Sequence, residues 1–191
     1  MGCAEKENPK RSHVCPWWMA YTFDNRIRKF FHRVPDMLGP YVKTGMTVMD
    51  VGCGMGYFSI GMAKLIGDSG KVIAVDLQQK MLDIMLKRAT KAGLADRISP
   101  HRCQVDKIGV FDQVDFILAF YMVHEVVDQK DFLAQLFSNL ANGGKLLIAE
   151  PRFHVTPQEF QQTLEIAQTT GLRIFEKPSV RFSLTALLGA G

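Results

Sequence analysis

The sequence of 191 residues has few cysteines, and they show none of the spacings that define a metal site or a disulfide scaffold. Cys3, Cys15, Cys53 and Cys103 form no C-x-x-C pair and follow no regular interval. This pattern argues against a zinc framework and against a disulfide-stabilised fold. His13 lies near two of these cysteines, but three ligands without a recognisable spacing do not define a zinc site, so we expect no bound metal.

The sequence also lacks a long apolar run and a strong charge imbalance. No run approaches the roughly 18 apolar residues that a membrane-spanning helix needs, and the charged first residues are not followed by the apolar segment of a secretory signal. The formal net charge is only +4, and basic residues cluster at 26–29 and 87–91, in helix-like stretches typical of solvated helix faces. We therefore expect a cytoplasmic protein with neither a membrane nor a nucleic-acid partner.

Tryptophan is scarce, and both residues of this type lie together near the N-terminus, as Trp17 and Trp18, with Tyr21 close by. These aromatic residues belong to no clear helical or strand period. We expect them either to cover a ligand site as a lid or to pin the N-terminal segment to the core.

The N-terminal segment that contains these residues precedes any regular pattern. Residues 1–15 are polar and irregular, whereas residues 25–42 have a helix-like spacing of apolar side chains that Pro35 interrupts. We therefore divide the chain into an N-terminal part, 1–43, with a tail, the aromatic segment and a helix, and a ligand-binding domain, 44–191.

Within that domain, short apolar runs alternate with amphipathic segments. The apolar runs predict strands at 47–51, 72–76, 98–103, 114–120, 145–149, 172–177 and 180–188. The amphipathic segments predict helices at 56–66, 78–92, 128–141 and from 156 to about 171. We infer an α/β fold with a doubly wound, mainly parallel seven-stranded sheet, helices on both faces and a C-terminal antiparallel hairpin.

A glycine-rich loop follows the first predicted strand, in the stretch Asp50-Val51-Gly52-Cys53-Gly54-Met55-Gly56. Its three glycines allow a sharp turn and a close approach of a ligand to the main chain. The predicted helix that follows offers unpaired N–H groups suited to a carboxylate. The loop is not a dinucleotide fingerprint, because Tyr57 stands where the last glycine belongs, and no P-loop pattern occurs in the chain.

Two acidic residues indicate which ligand the loop binds. Asp50 stands directly before the glycines, where a carboxylate repels a pyrophosphate and attracts an ammonium group. Asp76 ends the second predicted strand, where a carboxylate can accept hydrogen bonds from both hydroxyls of a ribose. A ligand with an amino-acid end and a ribose fits both residues, and we expect S-adenosylmethionine.

Three segments of the sequence resemble motifs of the class I S-adenosylmethionine-dependent methyltransferases. Residues 49–56 resemble motif I, residues 72–76 resemble the second motif, and residues 141–148 resemble the Gly-Gly segment before the fifth strand. Their order and spacing agree over residues 44–188. The chain is most similar to the compact UbiE-like, type 11 group, which mostly acts on small molecules, so the resemblance implies a Rossmann-like methyltransferase fold and a small-molecule methyl acceptor.

The resemblance also implies roles for individual residues. The loop glycines surround the methionine part, Asp76 binds the ribose, and Leu77 packs on the adenine. Many relatives have an Asp after the third strand that accepts from the adenine amine; here Gln104 takes that place, with Asp106 as an alternative. The complete set of expected cofactor-binding residues is Asp50, Gly52, Cys53, Gly54, Gly56, Asp76, Leu77, Gln104 and Phe120. We expect Cys53 to be a small residue that fills the turn rather than a nucleophile.

The acceptor side of the predicted site is the segment after the fourth strand. His124 either acts as a general base on the acceptor or shapes the pocket through hydrogen bonds. The expected pocket residues are Trp17, Trp18, Tyr21, Tyr121, His124 and Glu125. The expected reaction is an in-line displacement at the sulfonium methyl, mainly promoted by positioning and exclusion of water.

Two alternative functions remain open from the sequence. One is a methyltransferase that acts on a macromolecule, although residues 120–123 lack the [DN]-P-P-[YFW] motif of many nucleic-acid amino-methyltransferases and no basic module is appended. The other is a non-catalytic module that binds S-adenosylmethionine. The sequence indicates neither the acceptor nor the oligomeric state.

Overall fold

The structure, a computed structural model, describes residues 32–190 as a sheet with helices on both faces. The strands are β1 (Thr47–Val51), β2 (Lys71–Asp76), β3 (Ile98–Arg102), β4 (Val114–Phe120), β5 (Leu140–Pro151), β6 (Leu172–Glu176) and β7 (Ser183–Ala190). The helices are α1 (Val34–Leu38), α2 (Tyr57–Leu65), α3 (Gln79–Lys91), α4 (Gln129–Asn139) and α5 (Pro157–Thr169), with short 3₁₀ turns at Ala95–Arg97 and Val123–Glu125.

The seven strands form one sheet in the order β3-β2-β1-β4-β5-β7-β6. The contacts from β3 to β5 are parallel, whereas β7 runs antiparallel to both of its neighbours. The predicted doubly wound, mainly parallel sheet with a C-terminal hairpin is therefore confirmed. The strand order reverses direction between β1 and β4, and the cleft outside the carboxyl ends of these strands is where ligands bind in such sheets.

Both faces of the sheet are covered, which explains the continuously apolar inner strands. In β4, alternate residues point to opposite faces: Phe116 and Leu118 join the core under α1, α2 and α3, whereas Ile117 joins the core under α4 and α5. All three side chains are fully buried. A parallel strand buried on both sides has no polar face to preserve, so apolar residues fill every position.

The helix boundaries follow local capping chemistry. Thr156 caps α5, since its hydroxyl accepts from the backbone N–H of Glu159 while the Glu159 carboxylate accepts from the backbone N–H of Thr156. Pro157 occupies the first helical position, where its missing N–H costs nothing. Asp128 caps α4 by accepting from the N–H of Asp131.

Two local predictions differ from the structure. β5 begins at Leu140 rather than at 145, because Leu140 pairs with Val114 and the ladder resumes at Lys145 opposite Phe116; the predicted turn residues lie in the irregularity between these two pairs. The helix within predicted residues 25–42 ends at Leu38 in the described part of the chain, and because α1 begins at Val34, Pro35 lies in its first turn. Residues 25–31 lie outside the described part of the chain. Within residues 32–190, no helix has the length and apolar character needed to cross a membrane.

Candidate active site

The predicted site residues that follow β1, β2 and β4 meet at one edge of the sheet. The strand register aligns Val51 with Val75 of β2 and with Ala119 of β4. Gly52, Asp76 and Phe120, the next residues along each strand, therefore lie side by side at the carboxyl edge. This edge is the topological switch point of the sheet, as the sequence predicts.

The glycine-rich loop connects β1 to α2 through residues with left-handed backbone conformations. Gly52 has φ of 72°, and an added Cβ would lie 3.0 Å from Cγ of Met122, so a larger residue would have a strained backbone and would displace Met122. Gly54 has φ of 53°, and an added Cβ would meet no atom within 4 Å. The loop thus packs closely against the protein at one glycine and borders open space at the next, which leaves room for a ligand against the main chain.

Asp76 ties this loop to the end of β2. One carboxylate oxygen accepts from the N–H of Gly54 and the other from the N–H of Gln78, each at 2.9 Å. The side chain is 8% exposed. Burial raises the pKa of Asp76, although the backbone hydrogen bonds oppose this increase. Each carboxylate oxygen retains a lone pair that can accept from a ligand hydroxyl.

Asp50 lies deeper than Asp76. Its carboxylate is 2% exposed and accepts a hydrogen bond from the hydroxyl of Ser59, a fully buried residue of α2. This contact fixes α2 against the end of β1. Direct recognition of an ammonium group by Asp50 stays a prediction.

Cys53 lies inside the loop, where its side chain is 8% exposed and its thiol donates to the carbonyl oxygen of Gly54. Burial, together with the negative charges of Asp50 and Asp76, raises the pKa of Cys53 well above its ordinary value. A thiol held neutral in this way is a poor nucleophile, which supports a space-filling role for Cys53.

The residues expected to contact adenine lie around the ends of β2 and β3. Leu77 is half-buried, and Gln104 and Asp106 are both exposed in the loop after β3. The N–H of Gln104 donates to the carbonyl oxygen of Lys107, which tightens this loop. The choice between Gln104 and Asp106 as the adenine contact stays open.

An aromatic cluster follows β4 on the acceptor side of the edge. Phe120 is buried and stacks on Tyr121, with ring centroids 4.1 Å apart. Tyr121 has φ of 60°, a conformation that non-glycine residues adopt rarely and at a cost. Two hydrogen bonds hold it there, from its N–H to the oxygen of Ala149 and between its hydroxyl and that of Ser183, both at 2.8 Å.

His32 brings the N-terminal part of the described chain to this cluster. Its ring is 5.2 Å from that of Phe120 and 5.9 Å from that of Tyr121, both in edge contacts. The hydroxyl of Tyr57 donates to the carbonyl oxygen of His32. The sequence analysis missed His32. Trp17, Trp18 and Tyr21 lie outside the described residues, so their expected contact with the acceptor stays a prediction.

His124 lies in the 3₁₀ turn after β4 and pairs with Glu150, which lies in a strand end expected to border the ligand, 149–154, but which the sequence did not single out as a site residue. Nδ1 of His124 is hydrogen-bonded to one carboxylate oxygen of Glu150, and the other oxygen accepts from the N–H of Val123 at 2.9 Å. Glu150 is 1% exposed, whereas the His124 side chain is 27% exposed. Burial alone would lower the pKa of His124, but Glu150 and, more weakly, Glu125 raise it above its ordinary value.

Two further residues that the sequence analysis missed border His124. The His154 ring stacks on that of His124, with centroids 6.1 Å apart, and Phe153 makes edge contacts with His154 and Tyr121. Phe153 is 61% exposed. The position of these residues after the end of β5 was the available signal, since the carboxyl end of each parallel strand belongs to the same edge.

The site therefore combines two kinds of chemistry. The loop borders open space at Gly54, and Asp76 places a buried carboxylate beside it, an arrangement that suits a zwitterionic, ribose-containing ligand. The β4 and β5 ends offer an aromatic surface and an imidazole that can accept a proton. Among residues 32–190, no group of three His, Cys, Asp or Glu side chains is placed to hold a metal ion.

Comparison with known proteins agrees with this chemistry. A family model described as a methyltransferase domain matches residues 42–177. The demethylmenaquinone methyltransferase of Lactobacillus johnsonii is 31% identical over 124 residues, which cover 64% of this chain and 48% of that protein. The ubiquinone/menaquinone biosynthesis C-methyltransferase UbiE of Cellvibrio japonicus is 32% identical over 110 residues, which cover 57% of this chain and 44% of that protein. The chain thus spans about half the length of these curated relatives.

A solved structure matches over nearly its whole length. The structure of an S-adenosylmethionine-dependent methyltransferase from Aquifex aeolicus superposes with a TM-score of 0.80 at 25% identity, and the match covers 91% of this chain and 99% of that one. The predicted Rossmann-like methyltransferase fold and the distant resemblance to the UbiE group are therefore confirmed.

Proposed function

This chain belongs to the family of S-adenosylmethionine-dependent methyltransferase domains, and on that premise we propose that it transfers a methyl group to a small-molecule acceptor. The observation that supports this most directly is the geometry of the carboxyl edge of the sheet. Gly54, which borders open space, the buried carboxylate of Asp76 and the imidazole of His124 lie at or directly after the carboxyl ends of β1, β2 and β4. When bound, S-adenosylmethionine supplies an electrophilic methyl group on its sulfonium.

The residues of the glycine-rich loop fit the amino-acid end of this cofactor. The N–H groups of Gly52, Cys53, Gly54 and Gly56 all donate within the protein, so the first turn of α2 binds the carboxylate while the loop glycines leave room for it. Asp50 provides the negative charge nearest to the ammonium group. The close contact of Gly52 with Met122 holds the loop against the acceptor side of the site.

The β2 and β3 ends fit the nucleoside. Asp76 accepts from the ribose hydroxyls while its two backbone hydrogen bonds hold the carboxylate in place. Leu77 covers one face of the adenine, and Gln104 or Asp106 accepts from the adenine amine. Phe120, buried between the two halves of the site, excludes water from the region between them.

The acceptor lies against Tyr121, Glu125 and the His124 ring. His124 accepts the proton that the acceptor loses as it attacks the methyl group, which makes it a general base at the mouth of the site. Tyr121 is locked in place by two hydrogen bonds and presents a fixed surface that orients the acceptor.

The choice of a small molecule over a macromolecule has two supports. The curated relatives are named for steps in menaquinone and ubiquinone biosynthesis, whose acceptors are small molecules. The net charge of +4 is small for a protein that binds the phosphate backbone of a nucleic acid. The same proposal covers the whole protein: its partner is a small-molecule methyl acceptor, and its activity is methyl transfer to that acceptor.

A transfer assay tests this function. The protein is incubated with methyl-labelled S-adenosylmethionine and a cell extract that has been separated into small-molecule, protein and nucleic-acid fractions. We expect a labelled product in the small-molecule fraction that is separated from unreacted S-adenosylmethionine by chromatography, with stoichiometric S-adenosylhomocysteine. Label in the protein or nucleic-acid fraction would replace the small-molecule proposal with a macromolecular acceptor, and no label in any fraction would favour a non-catalytic binding module.

A further inference from the structure

We propose that Glu150 is a positioning residue that fixes the protonated nitrogen of His124 and so determines which ring nitrogen acts on the acceptor. This inference rests on the proposed function, because His124 needs a defined lone pair only if it accepts a proton from the acceptor. Glu150 belongs to none of the sequence motifs and is not among the predicted site residues.

The buried carboxylate of Glu150 contacts two neighbouring residues of the 3₁₀ turn, Val123 and His124. Glu150 stands near the end of β5, and Val123–Glu125 follows β4, the neighbouring parallel strand. One Glu150 oxygen accepts from the N–H of Val123 and the other binds Nδ1 of His124. Backbone and ring are thus held by the same group, so the ring cannot rotate without breaking one of these two contacts.

A carboxylate that faces Nδ1 selects one form of the neutral ring. An ionised carboxylate only accepts hydrogen bonds, so Nδ1 must carry the proton. The lone pair of the neutral ring then lies on Nε2, the nitrogen able to accept a proton. An apolar residue at 150 would impose no such order on the ring.

The carboxylates around His124 act in the same direction. Glu150 faces the ring from β5 and Glu125 belongs to the same turn, and both raise its pKa. The His154 ring, from the segment after β5, faces it at 6.1 Å, where a second positive charge would oppose protonation of His124. A raised pKa makes His124 a stronger base, but one that is deprotonated, and therefore active, only at higher pH.

The substitution Glu150→Gln separates a positioning role from a purely structural one. Glutamine keeps an oxygen that can accept from the N–H of Val123, so the turn survives. Its other terminal atom is an NH₂ group, which only donates and therefore needs a lone pair on Nδ1. The variant is thus expected to move the proton of the neutral ring to Nε2, the nitrogen that must be free for catalysis.

Nitrogen-15 NMR of labelled histidine measures directly which ring nitrogen of His124 carries the proton. A His124→Gln variant identifies the His124 signals. In the wild-type protein we expect the Nδ1-protonated form, and in Glu150→Gln the Nε2-protonated form with a lowered pKa of His124. With the acceptor found by the transfer assay, kcat of Glu150→Gln should fall roughly 100-fold or more, and the low-pH limb of the profile should move to lower pH. Calorimetric binding of S-adenosylmethionine should change less than about twofold, since Glu150 lies outside the cofactor loop.

Two further variants complete the test. Glu165→Gln, at an exposed position of α5, makes the same chemical change away from the site and should alter neither the ring nor kcat. Glu150→Asp keeps the carboxylate and should restore the Nδ1-protonated form and part of kcat. A wild-type ring protonated at Nε2, or an unchanged ring and unchanged kcat in a folded Glu150→Gln protein, would overturn the inference. If the wild-type protein transfers no methyl group but shows the expected Nδ1-protonated ring by NMR, the proposed function is overturned and the assignment of the ring proton is not.

Discussion

Asp76 and Glu150 show how two buried carboxylates at one edge of a sheet acquire different tasks from their partners. Asp76 accepts from two backbone N–H groups, so its side chain is fixed while lone pairs remain for a ligand. Glu150 also accepts one hydrogen bond at each oxygen, but one of its donors is an imidazole, and it is 1% exposed whereas Asp76 is 8% exposed. The first is suited to binding and the second to holding another side chain.

The two carboxylates also differ in how far the sequence predicts them. Asp76 follows an apolar strand at a fixed distance after the glycine loop, so its position along the chain is sufficient evidence. Glu150 lies 26 residues from His124, and no local pattern connects them. The parallel register that pairs Phe120 with Ala149 brings the segments together, and a register is a property of the folded sheet.

The half-buried Cys103 provides a residue-scale prediction. Burial, and then the negative charge of Asp76, raises its pKa to about 11 from an ordinary value of 9.0. Because only the thiolate reacts, we expect alkylation by iodoacetamide at pH 8 to be about 100-fold slower than that of a free cysteine, and the rate should rise with pH toward 11.

Mass spectrometry of tryptic peptides measures this rate at Cys103 separately from Cys3 and Cys15. The same protein in denaturant is the control and should react at the ordinary rate. Fast modification of Cys103 in the folded protein at pH 8 would show that its thiol is not suppressed.

At the scale of elements, the contact between α1 and α2 joins the segment before β1 to the core. Val34, Leu38 and Val42 are buried in the same cluster as residues of α2. Gly61, in the middle of α2, permits this approach, since an added Cβ would lie 2.6 Å from the Val34 side chain. A side chain at 61 would therefore force the two helices apart.

The substitution Gly61→Ala tests this contact. Alanine favours the isolated helix, but the clash with Val34 outweighs this gain, and we expect the free energy of unfolding to fall by about 1–3 kcal/mol. Urea denaturation measures the change. The double substitution Gly61→Ala with Val34→Ala removes both the clash and the valine methyls, and the coupling energy between the two positions measures how strongly residue 61 and Val34 interact. A Gly61→Ala protein more stable than wild type would show that α1 does not pack against α2 at this position.

Sequence patterns predict the ends of helices and strands well where nearby residues determine them. They predict these ends less well where pairing between strands determines them. The capping box at Thr156 and the proline after it place the start of α5 correctly. The start of β5 is different, because Ala141 to Gly144 have the composition of a turn. Only the pairing of Leu140 with Val114 extends the strand across them.

At the scale of the whole molecule, the strand order brings residues from four strand ends to one cleft. β1 and β4 are neighbours in the sheet but are separated in the chain by β2 and β3. In the proposed assignment, most cofactor residues therefore come from the first half of the fold, and the acceptor residues Tyr121, His124 and Glu125 come from the second. The alternation of strands and helices predicts this division, whereas the pairing of His124 with Glu150 depends on the assembled sheet.

The most direct test of the account is calorimetric titration with S-adenosylmethionine of the wild-type protein, Asp76→Ala and the control Asp83→Ala, which removes an exposed carboxylate from α3. We expect micromolar binding by the wild type and by Asp83→Ala, and a loss of at least tenfold in affinity for Asp76→Ala, since a buried acceptor of two ribose hydrogen bonds is removed. Absence of binding by the wild type, once co-purified ligand has been removed, or equal affinity of all three proteins, would contradict the assignment of the cofactor to this cleft.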